Sequence, residues 1–176
     1  SGNMAGSYSV VSGGTFNTGM GTYTTIAGGS SNSAGSTLAT VGGGLGNDAA
    51  EQYSVISGGR NNKAASIWSA VGGGDANVVA TDATYSVIAG GEANTATAVG
   101  IAIGGGRFNS AFGLSSTIAG GYYNNATGNE STQEKSGRKF VERVSQFIVV
   151  VFHCGCVSSS SSSSWYFLFN DGHQLT

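Results

Sequence analysis

The chain contains no proline, and only 9% of its 176 residues are charged. Each scarcity removes a class. Collagen needs proline together with glycine at every third position. Disordered chains are rich in proline and charge. Neither description fits. Lys and Arg number 7 against 9 Asp and Glu, a net charge of −2. No basic patch is large enough to hold a phosphate backbone, so nucleic acid is excluded as a partner. Cysteine and histidine are almost absent: His153, Cys154, Cys156 and His173 are the full set. The apolar run of residues 147–152 falls far short of the ~17 residues a membrane-spanning helix needs, so no span is expected. Ser1-Gly2-Asn3-Met4 shows no charged segment leading into an apolar one, and no signal peptide is read there.

What abounds is glycine, 31 residues, against a usual share of ~7%. Glycine inside a helix costs roughly 1 kcal/mol relative to alanine, which argues against a helical fold. The glycines are periodic. Taking the first glycine of each Gly-Gly pair as position 0 gives Gly13, Gly28, Gly43, Gly58, Gly73, Gly90, Gly105 and Gly120, spaced by 15 residues except for one step of 17. Position −2 holds Val11, Ile26, Val41, Ile56, Val71, Ile88, Ile103 and Ile118. Position +4 holds Asn17, Asn32, Asn47, Asn62, Asn77, Asn94, Asn109 and Asn124. Position +6 is small in seven repeats, with Val79 the exception, and position −5 carries Tyr8, Tyr23, Leu38, Tyr53, Trp68 and Tyr85 in the first six.

This pattern predicts an all-β fold: a parallel β-solenoid, or β-roll, of about eight 15-residue coils over residues 1–131, followed by a non-repeat tail at 132–176. The segment before each Gly-Gly has strand composition. Alternation puts Val/Ile at −2 on one face with Ser/Thr at −4, and the aromatic at −5 on the other face with position −3. Fifteen residues at ~3.3 Å each give a coil contour of ~50 Å, enough for two short strands and two turns. Stacking turns each column into a ladder, and a Val/Ile ladder forms a dry core that no single coil can bury. The Asn column predicts a structural amide ladder between coils. The extra residues of the 17-residue step, 80–83, are expected to bulge at a turn and leave the core columns in phase.

The unit resembles the head repeats of trimeric autotransporter adhesins, the YadA-like family. The matching segments are Tyr85-Ser86-Val87-Ile88-Ala89-Gly90-Gly91 and, closer, Gly100-Ile101-Ala102-Ile103-Gly104-Gly105. The resemblance covers about three quarters of the chain. It implies a left-handed parallel β-roll, three chains side by side and a surface role in adhesion.

The repeats hold no catalytic constellation. Their carboxylates, Asp48, Glu51, Asp75, Asp82, Glu92 and Glu130, fall at different repeat positions, whereas hydrolytic acid pairs need a fixed separation. Gly72-Gly73-Gly74 is followed by neither Lys-Ser/Thr nor a helix pattern, so it does not read as a phosphate loop. Asp does not recur as a calcium β-roll requires. No cofactor and no metal site is expected. Tyr8, Tyr23, Tyr53, Trp68 and Tyr85 form a candidate contact stripe: they either cover the core or a chain-to-chain seam, or stack on sugars or a partner.

Beyond Thr132 the repeat stops. Phe140, Val144, Phe147 and Ile148 sit near helical spacing, which suggests a short amphipathic helix or a cap on the solenoid end, with a disordered tail as the alternative. His153 with Cys154-x-Cys156 lacks the second ligand pair of a zinc site. Together these features point to a non-enzymatic extracellular or cell-surface structural protein, a stiff β-rod for attachment or fibre assembly. Its expected partners are further copies of itself, as a homotrimer or fibre, and surface glycans or matrix proteins. Two other readings stand beside it. An ice-binding solenoid wants a regular Thr column, and position −3 is mixed. A carbohydrate-active solenoid enzyme wants convergent acids, and these are scattered. Asn125-Ala126-Thr127 and Asn129-Glu130-Ser131 are glycosylation sequons that fit an exported chain.

Overall fold

In the computed structural model the chain is a β-solenoid. The structure describes residues 2–133 and, as backbone, the strands Lys139–Val144, Phe147–Phe152, Trp165–Asn170 and His173–Gln174. Every coil contributes one two-residue strand to each of two parallel sheets. The alanine sheet runs from Met4–Ala5 through Thr18–Gly19 and Ser33–Ala34 to Asn125–Ala126, nine strands in all. The isoleucine sheet runs from Val10–Val11 through Thr25–Ile26 and Thr40–Val41 to Thr132–Gln133. A third ladder of single bridges, Thr15 to Ser30 and onward to Arg107 and Tyr122, lies between them.

The solenoid thus has about nine coils where the Gly-Gly count gives eight. The terminal coils lack a Gly-Gly pair and escape that count. Met4 and Ala5 pair with Thr18 and Gly19, and Thr132 and Gln133 pair with Thr117 and Ile118. The repeat therefore runs past residue 131. In the last coil, Gln133 occupies the Val/Ile column and is still 7% exposed. A polar residue closing an apolar column suits a terminal repeat, whose outer face has no neighbour.

The core is thin and continuous. Ile26, Val41, Ile56, Val71, Ile88, Ile103 and Ile118 are all buried, and they form one cluster with Ala34, Ala49, Ala64, Val79, Ala96, Ala111 and Ala126. Full burial of one Val or Ile is worth roughly 1.5–3 kcal/mol, and here it is reached only by stacking. Position −3 points outward, as the alternation predicts. The 17-residue step falls between strands Val78–Val79 and Val87–Ile88, and both sheets resume their pairing across it. Ala83 of the insertion is itself buried.

Two columns adopt backbone that the sequence does not announce. Positions −5 and +3 have φ between 53° and 61° at fifteen non-glycine residues, among them Tyr8, Tyr23, Trp68, Phe16 and Phe108. Position −5 therefore sits in a turn and not in a strand. L-residues pay roughly 1–2 kcal/mol for this conformation. It reverses the amide: strand N–H groups donate to the following coil, as Thr25 N does to Ala39 O at 3.1 Å, while Tyr23 N donates back to Ser7 O at 3.1 Å and Ser31 N to Thr15 O at 2.9 Å. Each turn is thereby tied to the coil below as well as the coil above.

The two glycines of a pair have different duties. Gly59 has φ +89°, and an added Cβ would lie 2.2 Å from Gly74 O, whereas a Cβ on Gly58 would meet nothing within 4 Å. Gly59→Ala is expected to lower stability by about 3 kcal/mol or more, through strain and backbone clash. Gly58→Ala is expected to cost less than about 1 kcal/mol. Urea unfolding of the two variants separates these outcomes, and equal losses would contradict the assignment.

The tail does not form the expected helix where its backbone is described. Lys139–Val144 pairs antiparallel with Thr132–Gln133, Phe147–Phe152 pairs antiparallel with Lys139–Val144, and Trp165–Asn170 and His173–Gln174 follow in the same sheet. The reason is legible in composition. Phe-Ile-Val-Val-Val-Phe is a β-branched and aromatic run, and the open edge of Thr132–Gln133 supplies a template. Cys154, Cys156 and His153 lie outside the described residues.

Candidate functional site

The Asn column is the most elaborate polar feature, and its chemistry is turned inward. Asn62 is 1% exposed. Its backbone N donates to Asn47 Oδ1 at 3.0 Å. Its Nδ2 donates to Asn47 Oδ1 at 3.2 Å, to Gly58 O of its own coil at 3.1 Å and to Gly74 O of the next at 3.0 Å. Its Oδ1 in turn accepts from the backbone N of Asn77 at 3.0 Å and from Asn77 Nδ2 at 3.2 Å. The same bonds recur with small variations from Asn17 to Asn124. At the start of the chain Asn3 Oδ1 accepts from Asn17 N at 2.9 Å. Asn3 therefore extends the ladder one rung before the first Gly-Gly, at a step of 14 residues that the 15-residue count passes over. Every side-chain donor of Asn62 is consumed, so this column offers nothing to a ligand.

The stripe at position −5 is brought together along one corner of the rod, and it does not cover the core. Tyr8 is 77% exposed, Trp68 50% and Tyr53 36%. Four of the five rings stack in two pairs. Tyr53 and Trp68 stack in parallel planes with centroids 3.9 Å apart, and Tyr8 and Tyr23 stack at 5.0 Å. Leu38 interrupts the column. Tyr85 is 63% exposed and belongs to neither stacked pair. Sequence reasoning passed over a second aromatic group at positions +2 and +3: Phe108 stacks on Tyr123 at 5.0 Å, with Tyr122 edge-on to Tyr123 at 4.4 Å and the Arg107 guanidinium 4.9 Å from the Phe108 ring centre. The signal available was Phe108 lying 15 residues before Tyr123.

The scattered charges also find coil-to-coil partners. Arg60 makes a two-pronged pair with Asp75, one arm of it Nε to Oδ1 at 3.1 Å. Arg107 meets Glu92 at 2.9 Å and Lys63 meets Asp48 at 3.3 Å. The hydrogen bond from Arg60 holds the Asp75 carboxyl below its ordinary range and raises Arg60 in turn. These pairs are solvent-exposed, so their value is small. They do favour neighbours in the correct order. Among the described residues no group of three or more His, Cys, Asp or Glu is placed to hold a metal ion, and no helix is long and apolar enough to cross a membrane. The chain matches no family model and no curated protein.

Asn62→Ala removes five donors or acceptors from partners inside the rod and leaves the Asn77 amide unpaired. A loss of about 3–5 kcal/mol is expected, since each orphaned buried group costs ~1–3 kcal/mol. Asn124→Ala, at a partly buried rung near the end, is expected to cost about 1–2 kcal/mol, and the exposed Asn125→Ala little. Thermal unfolding ranks the three, and a neutral Asn62→Ala would show that the ladder is not a stabilising element. For Asp75, a depressed folded pKa means stability present above the unfolded carboxylate value and lost as pH falls through the lower folded value. The difference between wild type and Asp75→Asn is therefore expected to be full at neutral pH and to fade in acid, read by unfolding at stepped pH.

Proposed function

We propose that this chain is a non-enzymatic structural repeat, a stiff β-rod that works outside the cell or on its surface by presenting its flanks for attachment and by associating with copies of itself. The observation that carries the reading is the inward consumption of polar chemistry. The Asn column is spent on coil-to-coil bonds, and three exposed ion pairs join successive coils. What remains for a partner is the outer surface, with its rows of Tyr, Val, Thr and Ala. The likeness of the strand unit to adhesin head repeats agrees with attachment as the role. The exposed Asn125 and Asn129 of the two sequons agree with an exported chain.

The full chain is expected to be retained on immobilised glycans or matrix proteins, to release no product from a polysaccharide panel and to give no thermal hysteresis in ice. Product release that disappears on substituting Glu92 or Asp75 would replace the reading with an enzymatic one, and hysteresis would replace it with ice binding.

A further inference from the structure

The outer surface is not uniform. Positions −6, −5, −3 and −1 form the outer flank of the isoleucine sheet and its aromatic corner, while −4 and −2 face the core. In the eight coils from Ser7 to Ala119 this flank carries no charged residue. The charges between Asp48 and Arg107 occupy positions +2, +5 and +8 or the insertion. Among the described residues, the same flank holds twelve of the nineteen exposed large hydrophobic side chains, including Tyr8, Tyr23, Trp68 and Tyr85. Half-exposed side chains of this size leave roughly 60–100 Å² open each, so the flank offers on the order of 1,000 Å² of apolar surface. A monomer's largest apolar patch is about 300–600 Å², and a stable interface takes about 800 Å² from each partner.

We propose that this flank is the face through which the chain packs against a second copy of itself. The proposal rests on the reading of the chain as a self-associating rod and names the surface that does it. Two features favour a second copy over another occupant. The flank is neutral along its length, so an identical flank brings no unpaired charge into the contact, whereas a charged partner would bury one at high cost. It is also ribbed at the coil spacing of ~4.8 Å. Only a surface with the same period can set its rows into those grooves over eight coils, and an identical chain has that period by construction. Outward residues at position −3 are Val, Thr or Ala, small enough for two sheets to approach at ~10 Å. Glu130 takes the aromatic position in the ninth coil and marks where the flank ends.

The test uses the full chain with a reducing agent, so that Cys154 and Cys156 form no cross-link. Mass is measured by light scattering after gel filtration and by sedimentation equilibrium up to about 100 μM. Wild type is expected to exceed the 17.5 kDa of one chain. Val55→Lys with Val87→Lys places two ammonium groups on the flank and is expected to raise the dissociation constant at least 100-fold, returning the mass to one chain. Ser33→Lys with Ser110→Lys places the same charge on the alanine sheet, where Lys63 already stands, and is expected to leave the assembly intact. Circular dichroism confirms that both variants are folded. An assembly that survives the flank substitutions, or that the control breaks equally, overturns the assignment of the face while leaving self-association standing. A wild type that stays at one chain mass overturns both.

Discussion

Everything in the rod depends on equal residues lying over one another. A coil has too little interior to bury a side chain alone, so its Val or Ile, its Ala and its Asn become interior only when a neighbour covers them. The Asn ladder makes this vertical registry a matter of hydrogen bonds as well as burial. At Asn62 the Oδ1 serves two N–H groups one coil up, and the Nδ2 reaches its own coil and both neighbours. A coil of a different path length would pull the amides off their partners at that rung. The insertion at 80–83 obeys the constraint: its extra residues bulge at the turn, and Asn94 still donates to Asn77 Oδ1 at 3.0 Å.

The registry is purchased with strained backbone. Each coil carries left-handed residues at two corners and a second glycine whose Cβ position is filled by the carbonyl above it. The corners are repaid locally, since a reversed amide gains a carbonyl from the coil below. Where the corner residue is aromatic, its ring also stacks on the next. The glycine has no such substitute, because any side chain there meets backbone that cannot move away. This explains why position +1 is glycine in all eight complete repeats, including those where the first glycine has room for a Cβ.

Most of the architecture was legible in the chain. The period, the inward Val/Ile and outward −3 positions, the Asn ladder and the placing of the insertion all follow from columns that any reader can align. What was hidden had physical causes. Left-handed turns are usually signalled by Gly or Asn, and here Tyr, Trp, Phe, Leu and Ala fill them, because the tie to the coil below decides the conformation and intrinsic preference does not. The terminal coils were missed because they lack the Gly-Gly marker while keeping the pairing residues Asn3–Ala5 and Thr132–Gln133. In the tail, Phe140, Val144, Phe147 and Ile148 sit near helical spacing. The β-branched run of residues 147–152 and an open sheet edge outweigh that spacing. The stripe at −5 is legible as a column, with a covering and an exposed reading both open, and its rings are exposed at a left-handed turn.

The same constraint that fixes the interior leaves the exterior free to vary, and the variation is ordered. Positions +2 and +5 pass through Thr, Ser, Leu, Arg, Asp, Glu and Lys with no common chemistry. Nothing about stacking would bar a charge from position −3 or −6, which are just as exposed. Their neutrality through eight coils is therefore not a folding requirement. What sets this flank apart is the number of large apolar side chains it leaves exposed. The exposed apolar side chains gathered on that flank carry a solubility cost, which the proposed packing against a second copy would remove. Interior uniformity in this chain reports how it folds, and the asymmetry of its surface is what the proposed self-packing rests on.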